Sequence, residues 1–118
     1  HKEMAFTNGK LSDIVVVSAG STSDIVTVAS NKKVYVKSIL CHAPGVGAAA
    51  SATAQVYIIP NGGSVGANTK IFDVDVNAGE TVLLEPAYPI VIEATGDKIS
   101  VGAGTSTVNF FITGDKEA

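Results

Sequence analysis

The sequence of 118 residues contains no arginine, no tryptophan and a single cysteine, Cys41. Arginine normally makes the bidentate contacts to phosphate and guanine. Because arginine is absent and the net charge is −3, a typical nucleic-acid-binding surface is excluded. One cysteine cannot form an intrachain disulfide or a cysteine-based zinc cluster. It is compatible with synthesis in a reducing cytoplasm.

Long apolar runs are also absent from the sequence. No apolar stretch approaches the ~20 residues that cross a bilayer. The beginning, "HKEMAFTNGK", has no apolar segment typical of a signal peptide. We therefore expect neither membrane insertion nor a cleaved signal. Met4 is interpreted as a translation start, and residues 1–3 are set apart as an addition before it.

Short apolar segments with a period of two dominate the sequence. In "KIFDVDVN", apolar residues alternate with Asp73 and Asp75, which is typical of a half-buried strand. Strict alternation in "KVYVKSIL" predicts that Val34 and Val36 lie on the face opposite Ile39. Further segments with strand character are DIVVVS, DIVTVAS, AQVYIIP, TVLLE, PIVIEA, DKISVGA and TVNFFITG.

Turn-forming residues separate these segments at 30–32, 61–63, 77–79 and 95–97. Regularly spaced short strands, without an amphipathic helix, favour a β-sandwich or barrel over alternating α/β units. With 46% apolar residues, a chain of this length can bury a core without disulfides. We predict an all-β, single-domain β-sandwich of about eight to nine strands.

Two segments outside the predicted strands are candidates for contacts with a partner. An N-terminal arm, residues 1–11, precedes the sandwich domain, residues 12–118. Its apolar residues are expected to pack either on a neighbouring molecule or on its own domain. Residues 42–54, "HAPGVGAAASATA", are predicted to form a long surface loop whose small side chains allow close approach of a partner. The candidate interface residues are Phe6, Leu11, Pro44, Val46, Ala48 and Ala49.

Candidate catalytic and metal-binding residues are few. Cys41 and His42 are adjacent, so an extended chain directs them to opposite faces and they cannot act as a nucleophile–base pair. Asp73 and Asp75 share one strand face, but calcium takes about six to eight oxygen ligands. Residues 60–70 lack the Gly-Lys-Ser/Thr sequence and the helix of a phosphate loop. We expect a protein that is not an enzyme and that has no metal or cofactor.

Glu85 and Glu93 flank a corner predicted at Pro86–Pro89. Their arrangement superficially resembles the carboxylate pair of a glycosidase, but such enzymes also need aromatic platforms for the sugar. The sequence has no tryptophan and three tyrosines, so we interpret both glutamates as polar positions beside a strand-to-strand corner. A small ligand platform and ordinary packing both remain open for Tyr35, Tyr57 and Tyr88.

The C-terminal half resembles a group of small virion proteins of tailed bacteriophages, especially those of cyanobacteria and marine bacteria. Together with "KVYVKSILCHA" and "VYIIPNGGS" upstream, the similar region spans residues 30–114. The resemblance implies a capsid-associated β-sandwich of jelly-roll type. The segments that carry it are NAGETVLLE (Asn77–Glu85), EPAYPIVIEATGDKI (Glu85–Ile99) and VNFFITG (Val108–Gly114).

Proteins of this group act as decoration or cement proteins on the outer surface of the head, commonly as trimers. The resemblance therefore implies the major capsid protein as a partner, a homotrimer, and a location on the outer capsid after synthesis in the host cytoplasm. It brings no functional residue set with it. Two alternatives stay open: a structural protein of the phage neck, tail or head fibre, and a carbohydrate-binding β-sandwich module.

Overall fold

The computed structural model of the protein describes residues 6–45 and 51–117. These residues form ten β-strands and contain no helix. In chain order the strands are β1 (Phe6–Lys10), β2 (Val15–Val17), β3 (Thr22–Thr27), β4 (Val34–His42), β5 (Ser51–Ile59), β6 (Lys70–Asn77), β7 (Thr81–Leu84), β8 (Ile90–Ile92), β9 (Lys98–Ala103) and β10 (Val108–Glu117).

The strands form two antiparallel sheets that enclose one core. Sheet A has the order β1–β10–β4–β7, and in addition β2 pairs with β10 and β8 pairs with β4. Sheet B has the order β3–β9–β5–β6. The last strand thus lies between the first strands and β4, which is the strand order of a jelly roll. The predicted β-sandwich is confirmed.

A jelly roll has eight strands, and two local features raise the number here to ten. The segment Pro86–Pro89 interrupts one strand of sheet A, so that β7 and β8 both pair with β4. The additional strand β1 lies in the predicted arm, where the sequence "FTNGK" has no alternating apolar pattern. The nine segments with strand character all correspond to strands β2 to β10.

Side chains that point between the sheets form the apolar core. Alternate residues are buried along β4, β5 and β10, as a strand with one face against a core requires. Phe110 is the largest fully buried side chain. Burying a side chain of this size contributes about 1.5–3 kcal/mol to stability. The other largest fully buried side chains include Ile39, Ile59, Ile99 and Ile112.

The pairing of β4 with β10 contains a β-bulge. Thr113 lies opposite Ser38, whereas the next residue, Gly114, lies opposite Val36. Lys37 is therefore an extra residue in β4. An extra residue of this kind bends the strand and reverses the face on which the following side chains lie.

Because of this bulge, the strict alternation predicted for "KVYVKSIL" is wrong. Ile39 does not lie opposite Val34 and Val36, because all three side chains are buried in the core. The bulge also depends on a glycine. A β-carbon at Gly114 would collide with the backbone carbonyl oxygen of Tyr35.

The four predicted turns are present, and each contains at least one residue with a positive φ angle. Loops at one end of the sandwich are joined by hydrogen bonds. The Asn31 backbone N–H donates to the Thr95 hydroxyl (2.8 Å), and the Thr95 backbone N–H donates to the Asn31 side-chain oxygen (2.9 Å). The Asp97 carboxylate accepts the backbone N–H groups of Asn61 and Ala94, each at 3.1 Å. These contacts hold three loops together across the two sheets.

The predicted arm lies on its own domain from residue 6 onward, because β1 pairs with the end of β10. The Phe6 ring packs edge-to-face on the Tyr35 ring, with a centroid distance of 5.4 Å. Leu11 is half-buried against the core. The division of the chain at residue 11 stays a prediction.

The predicted loop 42–54 is shorter in the structure, since β4 extends to His42 and β5 begins at Ser51. Pro44 is exposed in this loop. The predicted interface residues Val46, Ala48 and Ala49 lie outside the described residues.

We predict that Gly114→Ala destabilises the protein by about 1–3 kcal/mol, because the added methyl group must push β4 and β10 apart at the bulge. Urea denaturation followed by circular dichroism measures this loss. Gly66→Ala is the matched control, since a β-carbon there meets open space and the φ angle is ordinary. Equal stability of the two variants would contradict the role assigned to Gly114.

Candidate functional site: an apolar sheet face

Cys41 and His42 lie on opposite sides of sheet A, as predicted. The Cys41 side chain is fully buried in the core, and this burial raises the pKa of its thiol to about 12. The His42 Nδ1 atom lies 2.9 Å from the Thr81 hydroxyl oxygen on the outer side of the sheet. The two residues therefore provide no nucleophile and base within reach of each other.

The acidic pair Asp73 and Asp75 is held by neighbouring side chains. Asp73 forms an ion pair with Lys70 at 3.0 Å, and Asp75 accepts a hydrogen bond from the Thr53 hydroxyl at 3.3 Å. Across residues 6–45 and 51–117, no group of three or more histidine, cysteine or acidic side chains is placed to hold a metal ion. None of the elements in these two ranges is a helix that could span a membrane.

The outer face of sheet B carries mainly polar side chains, and several of them are paired with one another. On β3, Asp24 accepts a hydrogen bond from the Ser100 hydroxyl and forms an ion pair with Lys98 at 3.1 Å. These two contacts hold the pKa of the Asp24 carboxyl below its usual value. A surface of this kind is suited to contact with water.

The outer face of sheet A is different, because large apolar side chains lie side by side on it. Residues paired directly across antiparallel strands share a face. Leu40 lies opposite both Phe111 and Leu83, and Val91 lies opposite Tyr35. We use the term apolar face for the outer side chains of Ile14, Val16, Leu40, Leu83, Val91 and Phe111.

Several of these side chains are strongly exposed. Ile14 is 67%, Val16 63% and Leu83 52% exposed. Single exposed apolar residues are common on soluble proteins, but a contiguous apolar patch marks an interaction site. The polar side chains that lie between these apolar residues are already paired: Ser38 with Thr113, and Lys37 with Asp115 at 2.9 Å.

A groove of about 340 Å³ lies within the apolar face. Ile14, Leu40 and Phe111 form its apolar wall, and no charged side chain lines it. His42 and Asn109 line its polar end, together with Thr81. The side-chain oxygen of Asn109 is buried and has no hydrogen-bond partner among the described residues.

Tyr88 lies in the corner between β7 and β8, at one edge of sheet A. Its side chain is 85% exposed, the highest value among the large apolar and aromatic residues that the structure leaves exposed in 6–45 and 51–117. Pro86 and Pro89 flank it, so the backbone on both sides has restricted φ angles. We refer to residues 86–89 as the Tyr88 corner.

The three tyrosines do not form a common platform. Tyr35 lies on the outer side of sheet A, beneath Phe6. Tyr57 is only 5% exposed and donates a hydrogen bond to Gln55 (3.3 Å) on sheet B. Within residues 6–45 and 51–117 the one ring contact is that of Phe6 with Tyr35, so the three tyrosine rings do not stack on one another. Glu85 and Glu93 are both exposed, and Glu93 lies 3.8 Å from Lys33.

The apolar face was not predicted, although the sequence carries a signal for it. Five of its six residues belong to pairs or triplets of adjacent apolar residues in strands, and Ile14 directly precedes one such triplet. Adjacent strand residues point to opposite faces, so such pairs place apolar side chains on both sides of a sheet. The sequences concerned are "VVV" (15–17), "IL" (39–40), "LL" (83–84), "IVI" (90–92) and "FF" (110–111).

The comparisons with known proteins support the fold. No family model and no curated protein matches the sequence. A protein of Bacillus endospore appendages, described as a novel family of disulfide-linked pili, matches with a TM-score of 0.58 and 13% identity, and the match covers 99% of this chain and 91% of that chain.

Two structures of infectious bursal disease virus are also similar. One, of the Gx strain, has a TM-score of 0.51 and 14% identity, and the other, of the T13 viral particle, has a TM-score of 0.52 and 8% identity. Both matches cover 98% of this chain, but only 32% and 31% of the viral chains. This chain therefore spans about a third of their length. A pilus protein and virus-particle chains thus share its β-sandwich fold.

We predict that Cys41 does not react with a thiol reagent in the native protein at pH 8. With a pKa of about 12, only on the order of one thiol in ten thousand is ionised at that pH. Labelling followed by mass spectrometry tests this, with protein in guanidinium chloride as the fully reactive control. Rapid labelling of the native protein would contradict the buried position of Cys41.

Proposed function

We propose that the protein is a non-enzymatic structural protein of a virion, which decorates a tailed-phage head and stabilises it by bridging capsid subunits. The observation that carries this proposal is the difference between the two outer faces of the sandwich. One face is mainly polar, with Asp24 paired to Ser100 and Lys98. The other carries the apolar row Leu83, Leu40 and Phe111, with Ile14 beside it. A subunit embedded by one side in an assembly needs this arrangement.

The rigid core and the joined loops also fit a structural role. A cement protein acts by burying area across the junctions between capsid subunits, and it needs a stiff scaffold for that purpose. Loop contacts at Asn31–Thr95 and Asp97 provide stiffness at one end of the sandwich. The proposed partner is the major capsid protein on the outer surface of the head. The jelly-roll fold is frequent in viral shells.

Further contacts with the capsid are proposed to come from the arm and the β4–β5 loop. Phe6 is 44% exposed on β1, and Pro44 is exposed at the start of the loop. Leu11 is half-buried, so it would act by fixing the arm rather than by direct contact. Val46, Ala48 and Ala49 complete the proposed set. A homotrimer would multiply each weak contact by symmetry.

A second candidate is a structural subunit of a phage neck, tail or head fibre. The match to the endospore appendage protein supports it, because that match covers nearly the whole of both chains. The single cysteine of this chain is buried, so Cys41 is not available for a disulfide between native subunits. A fibre made from this chain would not be linked through Cys41.

We predict that phage particles lacking this protein lose infectivity faster than wild-type particles on heating or osmotic shock. Without the decorating subunit, the junctions between capsid subunits lose buried area and resist internal pressure less well. Plaque counts after a temperature series measure the effect, and particles restored with purified protein are the control. Unchanged particle stability would refute the cement role.

Immunogold labelling distinguishes the two candidates. We expect antibodies against the protein to label the outer surface of the head. Labelling confined to the tail or neck would refute decoration and support the second candidate. Labelling of filaments that project from the particle would support a fibre.

A further inference from the structure

We propose that Asn61 is a site of spontaneous covalent modification, at which the backbone nitrogen of Gly62 attacks the asparagine side chain and the amide is lost as ammonia. The site lies in the turn after β5, where hydrogen bonds join the loops at one end of the sandwich. The proposal goes beyond the structural role proposed above and does not depend on it.

The sequence contains the dipeptide Asn-Gly twice, at residues 8–9 and 61–62. Glycine has no side chain, so its backbone nitrogen can approach the amide carbon of the preceding asparagine without a steric clash. In an unfolded chain both dipeptides are therefore open to the same reaction. The two differ in the folded protein, because the attacking nitrogen is held in one case and free in the other.

The nitrogen of Gly9 is held in the ladder between β1 and β10. In an antiparallel pair, residues that exchange hydrogen bonds alternate with residues that do not. The Leu11 backbone N–H donates to the Ile112 carbonyl oxygen at 2.7 Å, and Gly9 lies opposite Gly114, two residues away on each strand. By this alternation, the Gly9 N–H is directed at β10. It must leave the ladder before it can attack Asn8.

The nitrogen of Gly62 is free in an exposed turn. The Gly63 backbone N–H donates to the Pro60 carbonyl oxygen at 2.8 Å, and Gly62 has a φ angle of 84°. These features define a type II turn, in which the third residue does not donate the closing hydrogen bond. Among residues 6–45 and 51–117, no acceptor is found for the Gly62 N–H. The nitrogen therefore meets water and base without any opening of a sheet.

The reaction needs only water and hydroxide. A hydroxide ion takes the backbone proton of Gly62, and the nitrogen attacks Cγ of Asn61. A C–N bond forms, the bond from Cγ to Nδ2 breaks, and Nδ2 takes a proton from water and leaves as ammonia. Another water molecule opens the cyclic succinimide at either of its carbonyl groups. One product has aspartate at position 61, and the other has isoaspartate, whose backbone runs through the β-carbon.

Both products disturb the junction of the loops. The Asp97 carboxylate accepts the Asn61 backbone N–H at 3.1 Å, and the Asn61 side chain packs against Gly96 so closely that a β-carbon there would collide with it. A carboxylate at position 61 therefore lies near Asp97, and the two charges repel each other. Isoaspartate also lengthens the turn, which misaligns the hydrogen bond between Pro60 and Gly63.

The test is incubation of purified full-length protein at mildly alkaline pH, followed by peptide mapping at successive times. Cleavage at Lys10 and Lys37 places the two dipeptides on different peptides. We expect the native protein to convert Asn61 roughly five-fold or more faster than Asn8, because Asn8 reacts only when β1 leaves the ladder. Mass spectrometry detects the change from amide to acid, and an isoaspartyl methyltransferase assay detects the isoaspartate.

Protein unfolded in guanidinium chloride is the control, since both dipeptides should then react at similar rates. The variant Asn61→Gln should form no isoaspartate at position 61, because a longer side chain does not close the same ring. An Asn61 that stays intact in native protein while the unfolded control reacts would overturn the proposal. Faster conversion of Asn8 than of Asn61 in the native protein would do the same.

The effect on the loop junction is tested with Asn61→Asp, which reproduces one of the two products. We expect its midpoint of thermal unfolding to fall by a few degrees, because the new charge faces Asp97. Asn68→Asp is the matched control, since Asn68 is exposed in the same loop and should leave the midpoint unchanged. Equal midpoints for the two variants would overturn the assigned effect on the junction.

Discussion

The structure depends on one pair of strands, β4 and β10, which lie side by side at the centre of sheet A. β1 and β2 are held in the sheet by β10, and β7 and β8 are held by β4. The pair joins the C-terminal residues of the chain to residues 34–42, so the sheet can form only when the last strand is in place. At the bulge, Gly114 allows the two backbones to approach each other. The register on either side of the bulge determines which side chains face the core.

This register also produces the apolar face. With Ile39 and Phe110 directed into the core, their neighbours Leu40 and Phe111 must point outward and lie opposite each other. β7 then adds Leu83 to the same row. The apolar outer surface is therefore a consequence of apolar pairs in consecutive positions on three adjacent strands. In sheet B, outward positions on β3, β5 and β6 carry Asp24, Thr53 and Asp75 instead, and Ile71 is the one exposed large apolar side chain in a described strand of that sheet.

Much of the fold could be predicted from the sequence, because alternation and turn residues are local signals. All nine segments with strand character and the four turns are present in the structure, and the corner at Pro86–Pro89 lies where it was expected. The bulge at Lys37 was missed, since its cause is the pairing with β10, about 75 residues further along the chain. β1 was missed because its strand conformation comes from pairing rather than from an apolar pattern. The apolar face was missed for a similar reason: the residues that form it meet only through the topology of sheet A.

A β-sandwich with one polar and one apolar outer face is suited to a role in which one side is covered by other subunits. Hydroxyl-radical footprinting of the protein, free at low concentration and bound to phage heads, tests this claim most directly. Our account predicts that oxidation of Leu83 and Tyr88 falls several-fold in the assembled state, while oxidation of Ile71 on sheet B stays unchanged. Protection of Ile71 with no protection of Leu83 and Tyr88 would contradict it.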